Sequence, residues 1–303
     1  MARTRFLPDT GLTVRMTTVM FLLGAAFVAL VVVLMYAFPG WALLIALGGI
    51  GLVFYQWANS DKVAMRAMRA REVAPEQAPE LHGMIDRLCA LADMPKPRVA
   101  IADTNLPNAF ATGRSPQRSV VCVTTGILRT LNAEELEGVL AHELSHVAHR
   151  DVLVMTVAAS AGIVAGMVTR GAQFGGLGLG RSRNNDSSGA IGFVVVLVVS
   201  IVVYAISFVL LRLLSRYREL CADRSGAYLT QKPSALASAL TKISGEMNQV
   251  PERDLRAAKS MNAFFIAPAV RGLSMSALTS THPSLEKRLD QLAEIATSLG
   301  KPY

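Results

Sequence analysis

Three of the chain's five histidines fall within AHELSHVAHRD, residues 141–151. His142 and His146 are i and i+4, so on a helix they share one face about 6 Å apart along the axis, and both imidazoles can reach one ion. Glu143 follows the first histidine and completes H-E-x-x-H. The chemistry this pattern serves is metal-assisted hydrolysis. The metal polarises a carbonyl and acidifies a water, while Glu143 takes the water's proton and passes it to the leaving amine. His149, at i+7, is about 10.5 Å from His142 along the same axis, a poor position for a third donor to a tetrahedral site. It reads as a polar residue at the membrane boundary beside Arg150 and Asp151, and His82, alone on an amphipathic stretch, reads as structural.

The elements that must hold these residues follow from pattern. LNAEELEGVLAHELSHVAHRD reads as a helix capped by Asn132, with Glu135 three residues on as in a capping box. Before it, PELHGMIDRLCALAD at 79–93 has helical spacing. RVAIADT and SVVCVTTGIL read as strands of a small sheet, separated by NLPNAFATGRSPQR. A catalytic metal needs a third protein ligand and an open position. Glu219 in SRYRELCADRSGAYL is the leading candidate, and Asp223, one turn later, is placed to accept the second ring N–H of a ligating histidine. The alternative is that both pair with Arg216, Arg218 or Arg224 on a solvated face. That stretch has no breaker before Gly226 and continues the apolar segment before it as one helix; residues 233–249 and 283–298 read as further helices, the latter opened by Pro283 in its first turn.

Composition sets the setting for this site. Of 303 residues 52% are hydrophobic and only 17% charged, which points to a membrane protein. The net charge of +8 is spread without a basic run or a nucleic-acid module, so no nucleic-acid partner is expected. Cys89, Cys122 and Cys221 are widely spaced and fit reduced thiols in a cytoplasm. Residues 1–58 form an N-terminal segment and a transmembrane hairpin, with spans at 17–38 and 41–58 divided by Pro39-Gly40. A second hairpin occupies 152–211, with spans at 152–169 and 190–211 around a low-complexity Gly/Ser/Asn loop. Four spans place the N-terminus, 59–151 and 212–303 on one side. The Arg and Lys residues flanking the spans make that side cytoplasmic. The second hairpin separates HELSH from RELCAD in sequence yet returns both to the same membrane face. No span carries an ionisable residue at its middle, which argues against transport.

Together these segments resemble the HtpX-type integral-membrane zinc metallopeptidases, relatives of the CAAX-prenyl endopeptidases. The likeness covers nearly the whole chain: the two-span start, NAFATG at 108–113, AHELSH at 141–146, the interrupting apolar pair, RELCAD at 218–223 and THPSLEKRL at 281–289. It implies a mainly α fold with a small β-sheet, four transmembrane helices and a cytoplasmic zincin-like catalytic domain. It implies one Zn2+ per chain on His142, His146 and Glu219, with Glu143 as base and Asp223 supporting a ligand. Asn108, Ala109, Phe110 and Ala111 correspond to the family's edge strand, to which an extended substrate adds. His282 corresponds to the family's HP-motif histidine, which stabilises the oxyanion or orients substrate. The implied role is quality control of misfolded membrane proteins under stress, in a bacterial inner membrane, with protein substrates and the bilayer as partners.

The chain departs from relatives at Leu220 and Cys221, where an aromatic residue and a histidine are frequent, and at Ser284, where a second proline is common. Two other functions are compatible with the pattern: a narrow CAAX-type processing peptidase, and a membrane scaffold or stress sensor with structural zinc. An intact Glu143 speaks against the scaffold, because a structural zinc site has no use for a base.

Overall fold

The computed structural model describes residues 9–37, 42–151, 187–249 and 282–303. The chain divides into two compact units. One comprises Met1–Leu12, Asn59–Leu153 and Ser215–Tyr303, the other Thr13–Ala58 and Val154–Leu214.

The second unit is apolar. Helix α1 (Thr10–Ala37) and helix α2 (Ala42–Ala58) lie on either side of Pro39-Gly40, where the sequence anticipates a break. Helix α1 starts ahead of residue 17 because Asp9 Oδ1 accepts the Leu12 N–H at 2.7 Å and so caps it. Leu30 and Leu34 pack with Val196 and Val203, and Val19 and Leu23 with Leu214. Phe21, Val28, Val198 and Val209 stay exposed, as expected for helices solvated by lipid rather than water. Among the described residues, Thr10–Tyr36 and Val194–Thr230 are long and apolar enough to cross a membrane. The expected span at 152–169 and most of the loop after it fall outside the described residues.

Helix α7 (Ser187–Thr230) is continuous over 44 residues, roughly 66 Å at 1.5 Å per residue, more than twice the hydrocarbon thickness of a bilayer. As the sequence suggests, no break separates its apolar stretch from RELCAD.

The first unit is built on a four-stranded sheet, β1 (Ala70–Glu72), β2 (Arg98–Ala102), β3 (Ala109–Ser115) and β4 (Arg118–Thr124), in the order β1-β2-β4-β3. β2 and β4 are parallel and the other pairs antiparallel, which leaves β3 on an edge. β4 is buried on both faces, and its β-branched run suits that position. Val121 and Val123 enter the main core, whereas Val120 and Cys122 enter a smaller one with Ala64 and Met68 beside helix α3 (Ser60–Ala67). The main core is closed by α4 (Pro79–Ala92), α5 (Thr125–Thr130), α6 (Ala133–Ala148), α8 (Pro233–Gln249) and α9 (Leu285–Ser298).

Three local readings from pattern are corrected. NLPNAFATGRSPQR, by pattern only the separator between two strands, contains β3, in keeping with the edge strand that the resemblance implies at 108–111. SVVCVTTGIL does not stay extended: the Thr124 side chain accepts the Ile127 N–H and turns the chain into α5. Pro283 is not in the first turn of the last helix, since Ser284 is its N-cap and accepts the Lys287 N–H. β1 and α3 were not anticipated at all, being three and eight residues long.

Candidate metal centre

Helix α6 begins with both halves of its capping box formed. Asn132 Oδ1 accepts the Glu135 N–H, and Glu135 Oε2 accepts the Asn132 N–H, each at 2.9 Å. From Glu135 to Val147 every residue is buried. Burial requires its polar side chains to find partners, because an unmatched buried polar group costs about 1–3 kcal/mol. Val139, Leu140 and Leu144 anchor the helix in the main core.

The His142 and His146 rings meet edge to face with centroids 4.9 Å apart. Opposite them α7 presents Glu219, whose Oε2 lies 3.6 Å from His142 Nε2 and whose Oε1 lies 3.5 Å from His146 Nε2. These spacings are long for hydrogen bonds, but close to the ~3.3–3.4 Å edge of a tetrahedral donor set with bonds of about 2.0–2.1 Å. One donor atom from each of the three residues lies within 4.8 Å of the others, and all three side chains are buried. His142 Nε2 is a buried ring nitrogen with no hydrogen-bond partner. Two imidazoles and a carboxylate converging around such an atom fit one metal ion.

Each imidazole is backed through its other nitrogen. His142 Nδ1 is 2.8 Å from Asp223 Oδ1. Asp223 in turn receives a two-pronged bond from Arg288 on α9, Nε to Oδ2 and Nη2 to Oδ1, both at 2.7 Å. His146 Nδ1 is 2.8 Å from Asp151 Oδ2, and Arg218 Nε is 3.0 Å from the same oxygen. Close packing makes the arrangement possible. A Cβ on Gly226 of α7 would stand 2.9 Å from His142 N and 3.2 Å from its Cα, so only glycine lets the two backbones meet there.

Glu143 points to the sheet. Its Oε2 accepts the Ala111 N–H of β3 at 2.9 Å. Burial pushes its carboxyl up to about 7, with Glu219 adding to the rise and His142 opposing it. For His142 burial alone would lower the pKa, but Asp223 and Glu219 beside it outweigh that and lift it to about 9. His146 goes the other way: burial lowers its pKa, although Asp151 opposes the drop.

β3 carries the expected edge residues. Asn108, at its entrance, bonds Thr124 twice: its N–H donates to the Thr124 side-chain Oγ1 at 2.9 Å, and its carbonyl accepts the Thr124 N–H at 3.0 Å. Phe110 packs into the smaller core, and Ala109 and Ala111 face the main one. At Gly113, φ is +137° and a Cβ would strike Arg118 O at 2.2 Å; the register shifts between Gly113 and Ser115. His282 is buried, with Nδ1 3.3 Å from Glu219 Oε2. His149 stays outside the cluster, its Nδ1 2.8 Å from Ser145 O of its own helix, and His82 Nε2 is 3.0 Å from Val73 O.

The family model for peptidase family M48 matches residues 75–296. The chain belongs to peptidase family M48. The chain is 52% identical to a Streptomyces coelicolor protein named Protease HtpX homolog 1, over 99% of this chain and 97% of that one. It is 48% identical to the Protease HtpX homolog of Moorella thermoacetica, over 95% of each. Its fold is similar to the crystal structure of S. mikatae Ste24p, with a TM-score of 0.50 at 16% identity, covering 94% of this chain and 66% of that one. This M48 chain is thus a metalloendopeptidase by family.

Sequence reasoning missed Asp151, Arg218 and Arg288. Arg288 stands in THPSLEKRL, but nothing in its spacing ties it to Asp223, 65 residues away. Asp151 enters the sequence reading only as a neighbour of His149, yet it is 1% exposed. Arg150 adopts φ +57°, which ends the helix and lets the next residue turn back toward it, a feature the residue types do not announce.

Proposed function

We propose that this M48 chain is a zinc-dependent endopeptidase of a bacterial inner membrane, with four spans and a cytoplasmic active site, cutting cytoplasmic segments of misfolded or damaged membrane proteins. The observation that carries the reading is the convergence of His142 Nε2, His146 Nε2 and the Glu219 carboxylate beside Glu143. Two nitrogens and one carboxylate are the donor set of catalytic zinc sites of the H-E-x-x-H type. When bound, zinc would supply a Lewis acid for the scissile carbonyl and would acidify the attacking water.

The chain's own residues do the rest. Glu143, buried beside the three donors and held by the Ala111 amide, takes the proton from water and hands it to the leaving amine. The Ala111 amide fixes which of its oxygens faces the sheet. The outer edge of β3 at 108–111 receives an extended substrate as an added strand, using main-chain bonds that ignore side-chain identity. That tolerance suits a protease acting on unfolded segments of many sequences. His282, against Glu219, is placed to orient substrate or steady the oxyanion. Apolar α1 and α7 support membrane residence.

The test is hydrolysis of casein by the detergent-purified chain against its Glu143→Gln variant. Activity should fall at least ~10²-fold with metal content unchanged, and a chelator should abolish it in the parent. Equal, chelator-resistant activity in both would overturn the proposal.

A further inference from the structure

The two histidines are backed unequally. At His142 the arginine acts on the aspartate: Arg288 grips Asp223 with two prongs, one of them on the oxygen that faces the ring. At His146 the arginine crowds the ring itself. Around Nδ1 stand Asp151 Oδ2 at 2.8 Å and Arg218 Nη2 at 3.4 Å. A carboxylate only accepts, so it holds a proton on Nδ1 and leaves the Nε2 lone pair free. A guanidinium only donates, so it would draw the lone pair to Nδ1 and put the proton on Nε2, where no metal can bind. The two neighbours demand opposite tautomers.

We propose that Asp151 is a positioning residue that decides this contest, both by accepting from His146 Nδ1 at 2.8 Å and by holding Arg218 in an ion pair that leaves its nearest ring contact at 3.4 Å, the weaker of the two. The geometry is built for both tasks. Asp151 is fully buried, Arg218 Nε lies 3.0 Å from the oxygen that serves His146, and Arg218 directly precedes Glu219 on α7. The left-handed backbone at Arg150, φ +57°, brings Asp151 back under the helix that carries His146. One carboxylate thus sets the tautomer of one donor and ties down the helix turn bearing another.

The inference rests on the reading of His146 as a zinc ligand, and the experiment separates the two. Zinc affinity of the full chain in detergent is measured by competition with a chromophoric chelator. The parent should bind one zinc. Asp151→Leu should lose roughly 10–100-fold in affinity, the usual effect of removing such a partner. Asp151→Asn, whose Oδ1 still accepts, should stay within a few-fold of the parent. Arg218→Gln breaks the same ion pair but keeps the acceptor, so it should also stay near the parent. Asp151→Leu combined with Arg218→Leu removes the competing donor and should recover part of the loss.

A merely structural ion pair gives a different pattern, in which Arg218→Gln costs as much as Asp151→Leu. That outcome overturns the proposal, as does parent-like zinc binding by Asp151→Leu. If Asp151→Leu alone does not fold, the comparison of Arg218→Gln with the double leucine variant decides. Both lack the ion pair but only the second lacks the acceptor, and equal affinities would refute the tautomer role. A parent chain that binds no zinc removes the metal reading itself, and the inference with it.

Discussion

Helix α6 and the last sixteen residues of α7, 215–230, supply the two sides of the candidate metal centre, and they are positioned by different physics. α6 carries its instructions locally. It opens on a reciprocal capping box, closes at a left-handed residue, and places His142 and His146 on one face by helical spacing alone. The α7 stretch has no start signal of its own, because it continues a helix that began at Ser187. Glu219 and Asp223 are fixed from outside: by Arg288 on Asp223, by Gln291 Nε2 donating to Leu220 O at 3.0 Å, and by Gly226 lying against the His142 backbone. Damage to α6's ends should therefore lower stability in modest steps and spare the site's geometry. Damage to α7's contacts should disturb the metal centre first.

The largest effect expected is at Arg288. Arg288→Met strands the buried Asp223 carboxylate without its partner, and removing one member of a buried pair costs about 3–5 kcal/mol. Thermal unfolding should show that loss together with reduced metal retention. Arg288→Lys should recover little, since an ammonium cannot reproduce the two-pronged contact. A variant that lost stability but bound metal like the parent would break the claim that α7 is held for the sake of the site.

Gly226→Ala comes next. The added Cβ meets His142 N at 2.9 Å, so one helix must give, at about 1–3 kcal/mol for overpacking. The loss of activity should exceed what that destabilisation explains, on the order of 10²-fold for an ångström-scale misplacement. Hydrolysis measured well below the unfolding temperature isolates this term. Gly245, where an added Cβ would meet nothing within 4 Å, provides the control, and Gly245→Ala should leave both readouts close to the parent.

The same division explains what could be read from the sequence. The cap at Asn132, the H-E-x-x-H face and the helices at 79–93 and 233–249 follow from spacing and turn chemistry within a few residues. Glu219 was a candidate only by its place after the apolar segments, and Asp223 by its offset from Glu219. Arg288 and Asp151 were invisible because their roles depend on contacts across 65 residues in one case and on a single backbone dihedral in the other. β3 escaped pattern reading because Ala109, Ala111 and Gly113 are small, as an edge strand lying against α6 requires, and small residues carry little strand propensity.

The smallest effects test α6. Asn132→Ala removes one half of the capping box and should cost about 1 kcal/mol, with activity of the folded protein unchanged. Glu135→Gln is finer, because glutamine keeps an acceptor for the Asn132 N–H and loses only the charge. Burial would raise the Glu135 carboxyl, but Lys242 at 2.8 Å, Ser238 and the Asn132 cap outweigh it and hold it below the ordinary range. A depressed folded-state pKa stabilises fully above the unfolded value, about 4.5, and that stabilisation is lost as pH falls through the folded value. The melting temperatures of parent and Glu135→Gln should therefore differ most near neutral pH and converge as the pH drops below 4.5. Lys242 is 46% exposed, so the neutral-pH gap should stay within about 1 kcal/mol and narrow in high salt. The absence of a gap at any pH would mean that Glu135 acts through the cap alone, and would leave α6 even more locally determined than its ion pair suggests.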